Sequence, residues 1–208
     1  MVFSPDLLVD MTEERVLTVS DDRAIKQYKY LRYDNFSEVF RPWDPRFPNV
    51  AQRVAGLIRE RMPDARVEHV GSTAIPGCAG KGVVDLLLMY SPGRLAAARD
   101  ALDELGFQRQ TGLNPFPEER PLRVGAVEHD SEIFRLHVHV VAEDADEAAE
   151  LIDFRDRLCA DPSLVQEYVA SKVAALTAGP INNIEYTRAK EPFIHRVIGR
   201  PEPTERDE

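Results

Sequence analysis

The densest run of residues able to do chemistry is His69-Val70-Gly71-Ser72-Thr73-Ala74-Ile75-Pro76-Gly77, which leads through Lys81 to Asp85. Glycine followed by serine lets backbone amides and a hydroxyl approach a phosphate closely, because glycine has no side chain to obstruct them. Asp85 then stands inside the otherwise apolar run Val83–Tyr90. An ionised group there is costly unless it is paired or binds a metal. These residues describe a phosphate loop (Gly71, Ser72, Thr73) beside a metal carboxylate. The competing description is a tight turn followed by a salt-bridged aspartate.

Four cations are candidates for holding phosphate: Lys81, Arg155, Lys172 and Lys190. Arginine offers a fork of donors and lysine a point charge. Each also reads as a solvated charge, with Arg155 and Lys172 free to make weak i, i+4 pairs on their helices. Tyr186 and Lys190 fall four apart on one helical face, a platform for a base or a phosphate.

The elements that must carry these groups follow from pattern. Asp22–Tyr33 reads as a short helix, and Val39–Pro48, with Pro42, Pro45 and Pro48 around Trp43, as an extended connection. A helix capped by Asn49 puts Val50, Val54, Leu57 and Ile58 on one face and ends at Met62-Pro63-Asp64. Strand Arg66–Val70 precedes the glycine loop, and Val83–Tyr90 reads as a strand buried on both faces. Ser91-Pro92 signals the start of a helix that Gly106 ends. Phe107–Thr111 is a short strand. Leu122–Glu128 and Glu132–Val141 pair as a hairpin about His129-Asp130-Ser131. Three helices complete the chain: Ala145–Cys159, Pro162–Ala178 capped by Asp161, and Asn183–Ile198, which Pro192 should kink.

Composition narrows the partners. A formal charge of −10 over 208 residues opposes polynucleotide binding, which draws its affinity from a basic face. It leaves room for a local basic pocket that takes a small phosphorylated ligand. No stretch approaches the ~20 apolar residues of a membrane span, and the first residues lack the order of a secretion signal. Cys78 and Cys159 make neither a disulfide framework nor a zinc site; they read as thiols in a reducing cytoplasm.

The block His69–Asp85 resembles the GrpB family pattern His-Val-Gly-Ser-Thr-Ala-x-Pro-Gly followed by Lys-x-x-x-Asp. His137-Val138-His139-Val140 resembles that family's His-x-His strand. Phe154-Arg155-Asp156-x-Leu158, Glu167-Tyr168, Lys172 and Tyr186-x-x-x-Lys190-x-x-Phe193-Ile194 match its helical portion. The resemblance runs from about Trp43 to Ile198 and implies a polymerase-beta-like nucleotidyltransferase fold. That is an α+β architecture: a small mixed sheet with packed helices and a helical C-terminal portion. The corresponding divisions are a lead-in over 1–42, an α/β core over 43–143, C-terminal helices over 144–199 and a disordered tail over 200–208. Some relatives are fused to dephospho-coenzyme A kinase, and the resemblance brings no settled substrate.

Against the superfamily pattern, Gly71-Ser72 and Asp85 match, but Leu87 stands where a second carboxylate belongs. Two-metal phosphoryl transfer holds its ions ~3.5–4 Å apart between such carboxylates. The His-x-His strand can compensate. Leu136, Val138 and Val140 alternate with Arg135, His137 and His139, so both imidazoles project to one face. If that strand lies beside Val83–Tyr90, Asp85, His137 and His139 form a site for a divalent ion: magnesium, manganese or zinc. The set suits zinc or manganese better than magnesium. The alternative is a solvated histidine pair. His69 joins them or orients the Gly-Ser loop. Two functions follow: a metal-dependent nucleotidyltransferase-like enzyme acting on a small nucleotide or phosphorylated substrate, with Asp85 and Lys81 catalytic, or a catalytically reduced module that binds a nucleotide or coenzyme A-like ligand.

Overall fold

The computed structural model describes residues 25, 40–111, 115–177 and 183–200. The expected helix Asp22–Tyr33, apart from Ile25, and the tail beyond Arg200 lie outside them. The described elements are helix α1 (Phe47–Arg61), strand β1 (Arg66–Val70), a 3-10 turn (Ser72–Ala74), strand β2 (Val83–Tyr90) and helix α2 (Leu95–Glu104). Strands β3 (Gln108–Arg109), β4 (Leu122–His129) and β5 (Glu132–Ala142) follow, then helices α3 (Asp146–Ala160), α4 (Pro162–Thr177) and α5 (Asn183–Ile198).

The architecture is α+β, with one mixed sheet in the order β1-β2-β5-β4-β3. β2 and β5 run parallel at its centre; the other pairs are antiparallel. The larger core fills one face. There Val50, Val54 and Ile58 of α1 and Leu102 of α2 pack on Leu86, Leu88, Val138 and Val140. On the other face Val70, Leu87, Met89 and Val141 meet Ala148 of α3. A third cluster joins the C-terminal helices to the glycine loop, with Ile75 and Cys78 among Phe154, Leu158, Tyr168 and Phe193. β2 is apolar on both faces because both faces are covered.

Three elements differ from the sequence pattern by two residues or more at a boundary, each for a local reason. α1 begins at Phe47, two residues before Asn49, because Pro48 fits the first helical turn and the Asp44 carboxylate accepts the Arg46 N–H at 2.8 Å. α2 begins at Leu95 and not at Ser91-Pro92, because Gly93 takes φ +80° and so forms a turn, with Arg94 N–H donating to Ser91 O. The third strand shrinks to Gln108–Arg109, since only these two residues pair with β4. The hairpin turn places Asp130 and Ser131 both at positive φ, the two-residue geometry that suits strand twist. Asp161 caps α4 through the Ser163 N–H at 2.8 Å. Pro192 sits within α5.

Candidate functional site

The parallel pairing of β2 with β5 sets Asp85 opposite His137 and Leu87 opposite His139. Side chains alternate along a strand, so Asp85, His137 and His139 share the face that α3 covers farther along. His137 Nδ1 lies 3.3 Å and His139 Nε2 3.7 Å from Asp85 Oδ1. These separations exceed the ~2.7–2.9 Å of a charge-assisted hydrogen bond. They match the edge of about 3.4 Å between donors around a tetrahedral ion with bonds of ~2.0–2.1 Å. All three donor atoms lie within 4.8 Å of one another. One carboxylate and two imidazoles therefore fit a single divalent ion.

The electrostatics agree. Burial raises the Asp85 carboxyl, but the ring nitrogens of His137 and His139 outweigh it and hold the group well below the usual carboxylate range. Burial pushes the His139 ring down, against the pull of the Asp85 charge, which favours the neutral form that a metal ligand needs. Its Nδ1 is buried without a hydrogen-bond partner among the described residues, whereas ligating histidines ordinarily anchor the second nitrogen.

The glycine loop closes on the same carboxylate. Gly71 takes φ 70°, ψ −172°, and a Cβ built on it would lie 2.5 Å from Asp85 Oδ2. The loop is pinned from two sides. Arg41 forms an isolated bridge with Gly80, and Lys172 reaches in from α4. The Lys172 ammonium donates to Ser72 Oγ at 3.2 Å, to Cys78 Sγ at 3.2 Å and to the Ala79 carbonyl. It also stands 4.4 Å from the centre of the Tyr168 ring. Burial pushes its pKa down.

Lys81 and Lys190 flank the cluster. Their ammonium groups sit 4.1 and 4.5 Å from the centre of the Tyr186 ring. Burial, aided by the neighbouring Lys190 charge, brings Lys81 down to about 7. Burial brings Lys190 down to about 8. In both cases the Asp85 charge works the other way. Arg135 adds a third cation through its 2.5 Å bond to the Lys81 carbonyl.

The candidates thus divide. Gly71, Ser72, Lys81, Asp85, His137, His139, Tyr186 and Lys190 come together. Four others have protein partners of their own. Thr73 is 2% exposed and bonds His69 Nε2 through its hydroxyl at 2.9 Å, while its carbonyl accepts from Trp43. His69 lies on the opposite face of β1 from Val70, the residue paired with Asp85, so it orients the loop and does not join the imidazole pair. Lys172, at 1% exposure, faces protein atoms and not solvent, as no solvated helix charge would. Arg155 ties α3 to β1 through Glu68 at 3.0 Å and His69 O at 2.9 Å. Leu87 is fully buried in the α3-side core. Glu68 beside it is neutralised by Arg155 and Arg66, and Glu132 by Arg46 at the far end of the hairpin. No second metal-bridging carboxylate joins Asp85 among the described residues.

Sequence reasoning did not single out Cys78, Arg120 or Phe116 as parts of this region, and it met Tyr168 only within the family's helical match. Arg135 was within reach, since it shares the alternation of His137 and His139. The others arrive from loops and helices whose approach no local pattern encodes.

Comparison with known proteins shows the family and the fold. The family model described as GrpB protein matches residues 39–200. A UPF0157 protein of Vibrio cholerae is 32% identical over 139 residues, which is 67% of this chain and 69% of the relative. The crystal structure of the conserved protein GrpB from Enterococcus faecalis superposes with a TM-score of 0.60 at 20% identity, covering 77% of this chain and 95% of that one. A poly(U) polymerase solved with MgATP matches with a TM-score of 0.42 at 12% identity, over 63% of this chain and 45% of that one.

Proposed function

The chain belongs to the GrpB family, and on that premise we propose that it holds one divalent ion at Asp85, His137 and His139 and uses it on a small nucleotide or phosphorylated substrate, as a metal-dependent nucleotidyltransferase-like enzyme. The observation that carries this reading is the convergence of both imidazoles on one Asp85 oxygen, at 3.3 and 3.7 Å. A bound ion would polarise a phosphoryl oxygen as a Lewis acid. The chain's own residues do the rest. Gly71 lets the substrate phosphates approach the backbone, and Ser72 presents a hydroxyl whose position Lys172 fixes from beneath. Lys81 and Lys190 neutralise charge that builds on the departing phosphates, in a site where burial strengthens each contact.

Zinc or manganese fits the two-nitrogen, one-oxygen set better than magnesium. The net charge of −10, with Lys81, Lys190 and Arg135 gathered near this cluster, favours a small ligand over a polynucleotide. Free Cys78 and Cys159 favour the cytoplasm. Among the described residues no helix is long and apolar enough to cross a membrane.

Buried Leu87 favours a second reading, a module that binds a nucleotide or coenzyme A-like ligand with little turnover. A thermal-shift panel of nucleotides and phosphates, run with magnesium, manganese and zinc and paired with a pyrophosphate-release assay, separates the two, since a ligand that binds the native state raises Tm. Metal-dependent release supports the enzyme; binding without release supports the module. The absence of any phosphate ligand removes both.

A further inference from the structure

The proposed chemistry leaves one flank of the metal cluster unused. Among the described residues, Phe116 and Ile133 are the large hydrophobic side chains left exposed. Ile133 lies next to the hairpin turn. Phe116, 38% exposed, stands edge-to-face with His139, ring centres 6.0 Å apart and planes at 86°. Single exposed apolar side chains are common, and the company of this one sets it apart.

The Arg120 guanidinium lies over the Phe116 ring, 4.4 Å from its centre. Leu122 pairs with His139, and Arg120, two residues earlier, approaches the same face of the sheet. The Val140 N–H donates to Pro121 O at 3.0 Å and pins this turn to β5, while the Phe116 N–H donates to Gln110 Oε1 at 3.0 Å. Glu147, in the first turn of α3, takes two arms of the guanidinium: Nε at 2.6 Å, and Nη2. The third arm, Nη1, is buried with no hydrogen-bond partner among the described residues, as is His139 Nδ1. Leaving buried donors unpaired is costly, so a partner supplied by a ligand would be rewarded.

We infer that Phe116 and Arg120 form a nucleobase subsite beside the Asp85–His137–His139 cluster, with Phe116 stacking on the base and Arg120 Nη1 donating to an acceptor on its edge. This rests on the nucleotide reading above and adds to it the part of the substrate that is recognised. Phosphates against Lys81 and Lys190 and a base against Phe116 would place the nucleotide across the cluster. Every base has a π face and ring acceptors, so the subsite selects for a base without selecting one base. The subsite requires the exposed Phe116 side chain to turn as it stacks, which opens the buried Nη1 to the base.

The test is calorimetric binding of ATP and of inorganic tripolyphosphate to the wild-type protein, Phe116→Ala and Phe116→Trp. Wild type should bind ATP at least about tenfold more tightly than tripolyphosphate, a modest return for base–aromatic stacking. Phe116→Ala should lose about that factor for ATP and nothing for tripolyphosphate, and Phe116→Trp should restore it. Equal affinities for ATP and tripolyphosphate in the wild type would overturn the subsite and leave the phosphate site standing. Equal weakening of both ligands in Phe116→Ala would show a structural role and overturn it too. Failure of both ligands to bind the wild type would remove the phosphate site and the subsite together.

Discussion

Asp85 is lodged against Gly71. A Cβ placed on that glycine would lie 2.5 Å from Asp85 Oδ2 and 3.0 Å from Asp85 Cβ. The glycine also holds φ 70°, ψ −172°, a conformation that is all but closed to residues with a side chain. The glycine loop and the carboxylate are therefore packed as one unit, and any side chain at Gly71 would have to displace Asp85.

Gly71→Ala should destabilise the fold by about 1–3 kcal/mol through backbone strain alone, with the clash added. Part of that loss should disappear in the Gly71→Ala, Asp85→Ala double variant, because the alanine then has no carboxylate to meet. Chemical denaturation of both single variants and the double gives the coupling energy directly. Strict additivity would mean that the two residues do not press on each other.

Leu87→Asp restores the carboxylate pattern on paper and should fail in the protein. Removing a buried leucine costs about 2–5 kcal/mol, and an uncompensated carboxylate in that core costs more. Leu87 is fully buried among Val70, Met89, Val141 and Ala148, so the variant should lose stability and gain no turnover. A stable Leu87→Asp protein with faster magnesium-dependent turnover would show that this position still belongs to the active site.

The contrast between Leu87 and Asp85 shows how far the sequence could be read. The strands β1 and β2 and helix α5 stand at the expected boundaries, because each has an unbroken pattern between clear stops. The shared face of His137 and His139 followed from strand alternation. Their approach to Asp85 did not, because the order of strands in a sheet depends on which surfaces can be buried together and not on local pattern. The burial of Lys172 was not legible for the same reason. A lysine on a helix looks solvated until Ser72, Cys78 and the Ala79 carbonyl, about a hundred residues earlier, are found around it.

Lys172→Met should consequently behave as a structural variant. It keeps the stem but removes the donor shared by Ser72 Oγ, Cys78 Sγ and the Ala79 carbonyl, at a cost of about 1–3 kcal/mol. Lys190→Met should leave the melting temperature nearly unchanged while weakening phosphate binding. Paired melting and binding measurements check this, and the reverse pattern would mean that Lys172 and not Lys190 meets the ligand.

Phosphate affinity should fall as pH rises. Lys81 titrates near 7 and Lys190 near 8, so both ammonium groups are charged at pH 6 and largely neutral at pH 9. Tripolyphosphate gains negative charge over the same range, which by itself would strengthen binding to a fixed cation. Metal-free titrations at pH 6 and pH 9 should therefore show weaker binding at the higher pH. The dependence should flatten in Lys81→Arg, because arginine keeps its charge throughout. An affinity that rises with pH in the wild type would take both lysines out of the site.

The central claim is that Asp85, His137 and His139 hold one divalent ion. The direct measurement is the zinc and manganese stoichiometry of the purified protein by calorimetric titration, with elemental analysis of the loaded samples. Wild type should bind one ion per chain. Asp85→Asn, which keeps the shape and removes the charge, and the His137→Ala, His139→Ala double variant should bind none while remaining folded. A bound ion retained at the same stoichiometry and affinity in both variants would contradict the account, and so would a wild-type protein that takes up no divalent ion at all.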